Sequence, residues 1–178
     1  MIQFIKMLCL LCFLTPSSWA LAQEIDFKNS SIDFVVTNLG LDVEGKFRRF
    51  SGVVNFSPDL LEASSFEVSI PVKSIYTANS MRDEHLQEEE FFHAESYPNI
   101  TFSAKEVKKQ EEQYLLSGTL QLKGKRKQID LPFTYENETF SAEITLNRQE
   151  FDIGGDGFLD TIGDEVRIKI NCVLKAEN

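Results

Sequence analysis

The chain has 178 residues, a formal net charge of −10 and an isoelectric point near 4.7. A chain this acidic works against its own field at phosphate backbones and anionic surfaces, which excludes nucleic acid as a partner. Its three cysteines are too few for a disulfide framework, so a core must hold the fold unaided.

Lys6 precedes a run from Met7 to Leu14 that is almost free of polar atoms. Thr15-Pro16-Ser17-Ser18-Trp19 and the small-x-small triplet Ala20-Leu21-Ala22 follow, which is the order of regions in a cleaved secretory leader. Residues 1–22 are therefore expected to be removed, and the protein to be periplasmic or secreted. The apolar run falls short of the roughly 20 residues that cross a bilayer, so an integral membrane protein is not expected. Cys9 and Cys12 leave with the leader, and Cys172 remains alone. Residues 23–178 are expected to form one domain, long enough for a self-sufficient core.

From residue 32 onward the dominant period is two, the mark of half-buried antiparallel strands. Ile32, Phe34 and Val36 open the series, and Phe50, Gly52, Val54 and Phe56 continue it after a gap. Phe66-Glu67-Val68-Ser69-Ile70-Pro71-Val72-Lys73 is the clearest run, its apolar side chains on one face. Turn residues Ser57-Pro58-Asp59 separate it from the strand before.

Asn79 to Phe92 breaks the alternation: Met81, Leu86 and the Phe91-Phe92 pair stand near helical spacing, which predicts a short helical insertion over about 79–92. Glu88-Glu89-Glu90 near its C-terminal end opposes the macrodipole, so that end is expected to fray.

Alternation resumes with Ile100, Phe102 and Ala104, then Tyr114, Leu116, Gly118, Leu120 and Leu122. Ile129, Leu131, Phe133 and Tyr135 follow, then Phe140, Ala142, Ile144 and Leu146, and finally Val166, Ile168, Ile170, Cys172 and Leu174. Turns are expected at Lys108 to Gln113, Lys123-Gly124-Lys125, Glu136-Asn137-Glu138 and Gly154-Gly155-Asp156-Gly157. The predicted fold class is all-β, with eight strands that can close as a barrel or stack as a sandwich. Fifteen phenylalanines tilt the choice to a barrel, whose interior is wide enough for packed side chains or one slim ligand.

Several stretches stand out when taken together, in their shared order and spacing. They are Gly45-Lys46-Phe47-Arg48-Arg49-Phe50-Ser51-Gly52, Ser74-Ile75-Tyr76-Thr77 with Arg82-Asp83-Glu84-His85-Leu86, and Phe91-Phe92 before Tyr97-Pro98-Asn99-Ile100-Thr101-Phe102. Gly118-Thr119-Leu120-Gln121-Leu122-Lys123-Gly124, Arg148-Gln149-Glu150-Phe151-Asp152-Ile153-Gly154 and Ile162-Gly163-Asp164-Glu165-Val166 complete the series. Together they resemble the YceI-like family of polyisoprenoid-binding proteins, and the resemblance covers residues 25–176. It implies an eight-stranded antiparallel lipocalin-like β-barrel that holds a long isoprenoid, such as a quinone-type tail, in an apolar tunnel. Tyr76, the acidic run Gln87 to Glu90 and the basic run Lys125-Arg126-Lys127 depart from the family pattern.

The inward positions Phe34, Val54, Phe56, Val68, Ile70, Ile100, Phe102, Leu120, Leu122, Phe133, Ile144, Ile168 and Ile170 are the candidate lining. On periodicity alone they line a tunnel or fill a core equally well, and the resemblance selects the tunnel. Arg126 with Lys125, beside Lys123 and Lys127, is the candidate headgroup contact, against the plainer reading of a solvated turn. His85 and His93 lie eight positions apart among Glu84, Glu88, Glu89 and Glu90, without the spacing of a metal site, so no metal and no cofactor are expected. Cys172 shares an apolar face and is expected to be inert. No catalytic constellation stands out, and the chain is not read as an enzyme. The expected function is non-covalent binding, transport or storage of a long-chain lipid, with a homodimer possible. The alternative is a structural or interaction module whose barrel is filled by its own side chains and whose acidic surface binds a protein.

Overall fold

The computed structural model describes residues 22–155 and 161–175. The expected leader, apart from Ala22, and the second half of the Gly154 to Gly157 turn lie outside the described residues. Among the described residues, eleven strands form one antiparallel sheet: β1 (Gln23–Glu24), β2 (Ser31–Asn38), β3 (Leu41–Phe47), β4 (Ser51–Asn55), β5 (Ser65–Pro71), β6 (Ile75–Tyr76), β7 (Asn99–Gln110), β8 (Gln113–Leu122), β9 (Lys125–Glu136), β10 (Thr139–Asn147) and β11 (Ile162–Val173). Their order across the sheet is β1-β4-β5-β7-β8-β9-β10-β11-β2-β3-β6.

All eight expected strands are present, and the larger count has a simple origin. β3 bends through Arg48 to Phe50 into β4, and β5 passes through a single 3-10 turn, Val72–Ser74, into β6. Leaving aside the two-residue β1, the eleven strands are thus eight continuous passes of the chain. The two bent passes also bring the ends of the strand order together. Phe47 pairs with Ile75, the Arg48 amide donates to the Ser74 carbonyl at 2.9 Å, and Ile25 after β1 bridges Leu174 after β11. The sheet therefore curls around an interior instead of lying open.

β3 is the one long strand that the alternation was not used to find. Val43, Gly45 and Phe47 do alternate with Asp42, Glu44 and Lys46, but a glycine in the middle weakens the apolar signal. The turns are tighter than expected: β7 runs on to Gln110, so only Glu111 and Glu112 separate it from β8. Lys123 and Gly124, at φ of +48° and +75°, make the two-residue turn whose twist suits a hairpin, and Asn137 with Glu138 repeats it.

The helical insertion is shorter than predicted. α1 covers Ser80–His85 only, with the Asn79 side chain accepting from the Arg82 amide as N-cap. Beyond Leu86 the chain folds into successive turns closed by Phe92 to Leu86, His93 to Glu88 and Ala94 to Gln87 backbone bonds. Two forces stop the helix. The three glutamates oppose the dipole, and the adjacent rings must pack in different places, Phe91 against His85 and Phe92 against Phe47.

Buried apolar side chains fall into two groups. One gathers Ile25, Val54, Phe56, Phe66, Tyr114, Leu116, Phe133 and Phe140 near the β7–β8 and β9–β10 turns. The other packs Phe91, Ala94, Phe151 and Ile153 onto Val72, Ile100, Leu120 and Leu122 near the opposite end. The interior between them is where the site lies.

Candidate functional site

Between the two buried groups the curled sheet encloses a cavity of about 770 Å³. Such a volume is in the upper part of the ~300–1,000 Å³ range of small-molecule sites. Counted as a packing defect at ~24 cal/mol per Å³, it would cost on the order of 18 kcal/mol, more than the net stability of a domain. A space that large is a chamber held open by the sheet, and the barrel is not filled by its own side chains.

Accessibility along the strands carries the same information. On β11, Val166, Ile168 and Ile170 face inward, yet each is only half-buried. Phe34 and Val36 on β2, Val68 and Ile70 on β5, Phe102 on β7 and Ile144 on β10 behave alike. An inward residue of a filled barrel loses nearly all of its exposure. These keep it because they face the chamber.

Of the expected lining, Phe34, Val54, Val68, Ile70, Ile100, Phe102, Leu120, Leu122, Phe133, Ile144, Ile168 and Ile170 all border the chamber. Phe56 does not. Its ring instead stands 5.0–6.1 Å from Phe66, Tyr114, Phe133, Tyr135 and Phe140, mostly edge to face, and forms the floor with them. Cys172 lies on the wall near this floor, and burial pushes its thiol up to about 12, partly offset by the Ser30 hydroxyl. The thiol is therefore protonated at neutral pH, as its apolar face predicted.

The other end of the chamber is polar and reaches solvent, since exposed His85, Glu90 and Thr161 are among its lining residues. Arg82 and Thr77 stand there together. Thr77 is 4% exposed, and both its amide and its hydroxyl donate to Asp83 Oδ1, at 2.8 and 2.6 Å. Arg82 Nε donates back to the Thr77 hydroxyl at 2.8 Å, and Arg82 Nη2 donates to the Thr77 carbonyl at 2.8 Å. The paired sequence stretches around Thr77 and Arg82-Asp83 thus meet as one hydrogen-bonded unit. His85 completes the segment: its Nδ1 pairs with Glu88 at 2.9 Å and its ring lies edge-on to Phe91.

Arg148 closes the rim from the other side. It is 5% exposed, in the 3-10 turn Arg148–Phe151, and its guanidinium donates to the carbonyls of Ile153, Gly155, Ile162 and Gly163. Asp164 balances its charge at 3.3 Å. A buried arginine used in this way ties the β10–β11 connection down over the chamber.

Lys125 and Arg126 do not border the chamber. Lys125 pairs with Asp152 at 2.6 Å and Lys127 with Glu150 at 3.6 Å, while Arg126 points along the outer face to Gln121. Lys123 donates to the carbonyls of Glu90 and Asp152. The basic run holds the β8–β9 turn to the rim segments. The cations that do border the chamber, Arg82 and Arg148, were invisible to a search for charge clusters because each stands singly in the sequence. A titratable group on the chamber was likewise not foreseen from apolar positions, and the structure supplies Arg82, His85, Glu90 and Arg148. His93 pairs with Ser96 and lies against Tyr97, away from His85, and no group of three His, Cys, Asp or Glu side chains converges among the described residues.

A family model described as the YceI-like domain matches residues 23–174. The chain is 31% identical over 158 residues to the UPF0312 protein PC1_2518 of Pectobacterium carotovorum, a match covering 80% of this chain and 82% of the relative. It is 28% identical over 174 residues to protein YceI of Salmonella arizonae, covering 90% of each. Among solved structures, BcnA of Burkholderia cenocepacia aligns with a TM-score of 0.79 at 26% identity, over 85% of this chain and 99% of that one. A polyisoprenoid binding domain from Saccharophagus degradans aligns with a TM-score of 0.69 over 88% of this chain and 99% of that one. At 16% identity this last likeness is one of fold alone.

Proposed function

The chain belongs to the YceI-like domain family, and from that premise we propose that it carries or stores a long isoprenoid or similar amphiphile, non-covalently, in the chamber. The carrying observation is the half-buried inward face of the strands around about 770 Å³ of apolar space. Burial of apolar surface is favourable by roughly 25 cal/mol per Å², so each ~100 Å² of tail removed from water offers about 2.5 kcal/mol before ordering costs. A flexible tail needs no polar partner along the wall, and the wall offers few. The structural neighbour from Saccharophagus degradans, described as a polyisoprenoid binding domain, makes an isoprenoid the first ligand to try.

The tail lies toward the aromatic floor and the head toward the polar rim. Desolvation does the work, so neither catalysis nor a cofactor is required. The leader-like residues 1–22 agree with a carrier that works outside the cytoplasm, and no helix among the described residues is long and apolar enough to cross a membrane.

The test is native mass spectrometry of the protein purified without detergent, with organic extraction of the same sample. The expected result is a copurifying lipid at about one per chain, or a stoichiometric shift after adding a prenylquinone. An apo mass that no prenylquinone or polyprenol alters would overturn the function.

A further inference from the structure

Resting on the lipid-carrier reading, we propose that the mouth of the chamber docks on a lipid bilayer through Leu39, Leu41 and Met81, and that the favoured surface carries little negative charge. These side chains are 74%, 72% and 77% exposed, while the other exposed large apolar residues among those described stand at 37–44%. Apolar residues scattered singly over a surface need no explanation. These three share one end of the barrel. The Leu39 amide donates to the Thr161 carbonyl at 3.0 Å, and the Thr161 hydroxyl donates to the Asn38 side chain at 2.8 Å. Asn38 and Thr161 both border the chamber. Leu41 lies on the face of β3 that Val43 and Phe47 turn inward. Val43 borders the chamber and Leu41, one pleat farther on, stands beyond it, so the apolar wall runs out past the mouth into water. β6 runs antiparallel to β3, with Ile75 opposite Phe47 and Tyr76 opposite Lys46, so the chain leaves β6 heading along β3 toward Leu41. α1 follows, and Met81 stands next to Arg82, which borders the chamber.

Leu39 also sits where leucine is a poor choice. Its φ of +52°, followed by Gly40 at +78°, is the two-residue hairpin turn in which asparagine or glycine is the ordinary occupant. Leucine there strains the backbone and gains no burial within the chain. Its use is explained when the tip of the turn is buried in something else.

A bilayer is the occupant that fits. The cargo is a long apolar chain, and a mouth seated on a membrane lets it enter or leave the chamber without crossing water. Docking of this kind needs apolar area and no directional partner, which is what two leucines and a methionine supply. A second copy seated mouth to mouth would instead close both chambers. Charge then selects among bilayers. Asp42, Glu84, Glu88, Glu89 and Glu90 are exposed around this end, on a chain of net charge −10, and Arg167 is already paired with Asp42 at 2.7 Å. An anionic leaflet repels such a rim.

The experiment is co-flotation of the mature chain with phosphatidylcholine vesicles, with and without phosphatidylglycerol, for the wild type and a triple variant, Leu39→Asn with Leu41→Thr and Met81→Gln. Each replacement suits its place: asparagine the positive-φ turn, threonine the strand, glutamine the helix. The triple variant is expected to be at least as stable as the wild type and to hold the same lipid per chain. It is expected to bind phosphatidylcholine vesicles about 10-fold or more weakly, the loss that one buried leucine already implies. Transfer of a prenylquinone between vesicles should slow with it. Phosphatidylglycerol is expected to weaken the wild type at low salt, and added salt to restore binding. Equal flotation of the two proteins, or of neither, would overturn the docking surface, and tighter binding to phosphatidylglycerol vesicles would overturn the charge selection. A wild type that sediments as a dimer beside a monomeric variant, with vesicles ignored by both, would overturn the bilayer in favour of a second copy. A wild type that floats, yet yields no lipid on extraction and transfers no prenylquinone, supports the docking surface and ends the carrier reading, so the two failures are distinct.

Discussion

The ring of Phe34 occupies the place where a side chain at Gly45 would stand: a β-carbon built on Gly45 would lie 2.2 Å from Phe34 Cζ. The two residues face each other across β2 and β3. Without a side chain on β3, the ring can lie over that strand and leave the chamber clear. Gly45→Ala is therefore expected to push the ring inward, costing about 1–3 kcal/mol of stability and part of the lipid capacity. Adding Phe34→Ala removes the clash, so the double variant should be more stable than the sum of the single losses requires. Chemical denaturation of all four proteins checks this, and strictly additive losses would show that the ring is indifferent to Gly45.

Position along the chamber separates supportive side chains from binding ones. Phe133 is 3% exposed and packs against four other aromatic rings at the floor, Phe56, Phe66, Tyr114 and Phe140, whereas Ile168 is half-buried beside empty space. Phe133→Ala is expected to cost about 3–5 kcal/mol, and Ile168→Ala less than about 1.5, because the latter removes few packed contacts. The bulky change Ile168→Trp should do the reverse, leaving the fold intact and lowering bound lipid. Unfolding midpoints with extracted-lipid measurements on the three variants decide it, and similar losses of stability for the two alanine changes would count against an open chamber.

The parts of the fold that the residues revealed are those with an unbroken period of two. β8 is an example: Tyr114, Leu116, Gly118, Leu120 and Leu122 all face in, and of the residues between them only Leu115 is apolar. β3 escaped because Gly45 stands where an apolar residue would have announced the strand, and the same glycine is what Phe34 requires. The lining was legible for the same reason the strands were, since facing inward is a matter of parity. Phe56 obeyed the pattern and still fell off the chamber, because parity gives the face and not the height along the axis. The polar rim was not legible. Arg82, Thr77 and Asp83 are close in sequence, yet Arg148 comes to the chamber by a separate 3-10 turn, and no periodicity connects them.

Arg148 offers a test of the rim as a structural clasp. Removing its guanidinium takes one donor away from each of the carbonyls of Ile153, Gly155, Ile162 and Gly163, of which Gly155 keeps the Gln149 side-chain amide, and takes the paired cation away from Asp164. Arg148→Met is expected to cost on the order of 3 kcal/mol and to raise amide exchange in residues 148–155. Arg148→Lys should recover little, because a point charge on a flexible stem cannot serve four carbonyls at once. Hydrogen exchange is the decisive measurement: protection unchanged in both variants would mean that the β10–β11 connection is held by other contacts.

Cys172 makes the interior measurable by pH. Burial pushes its thiol up to about 12, against an ordinary value of 9.0, with a smaller opposing effect from Ser30. At pH 7.5 the folded protein then holds on the order of 1,000-fold less thiolate than a free cysteine, and alkylation by iodoacetamide should be slow in proportion. The folded state binds this proton more tightly than the unfolded one. Its contribution to stability is complete below about pH 9 and is lost as the pH climbs toward about 12. Burial also pushes the Tyr135 phenol up, so the wild-type profile alone mixes two groups in the alkaline range. The difference between the wild type and Cys172→Ala isolates the thiol, since Tyr135 is common to both. That difference in unfolding free energy should be flat from pH 6 to about 9 and then move against the wild type as the pH rises. A flat difference throughout, with rapid alkylation at pH 7.5, would place the thiol in water and remove it from the chamber wall.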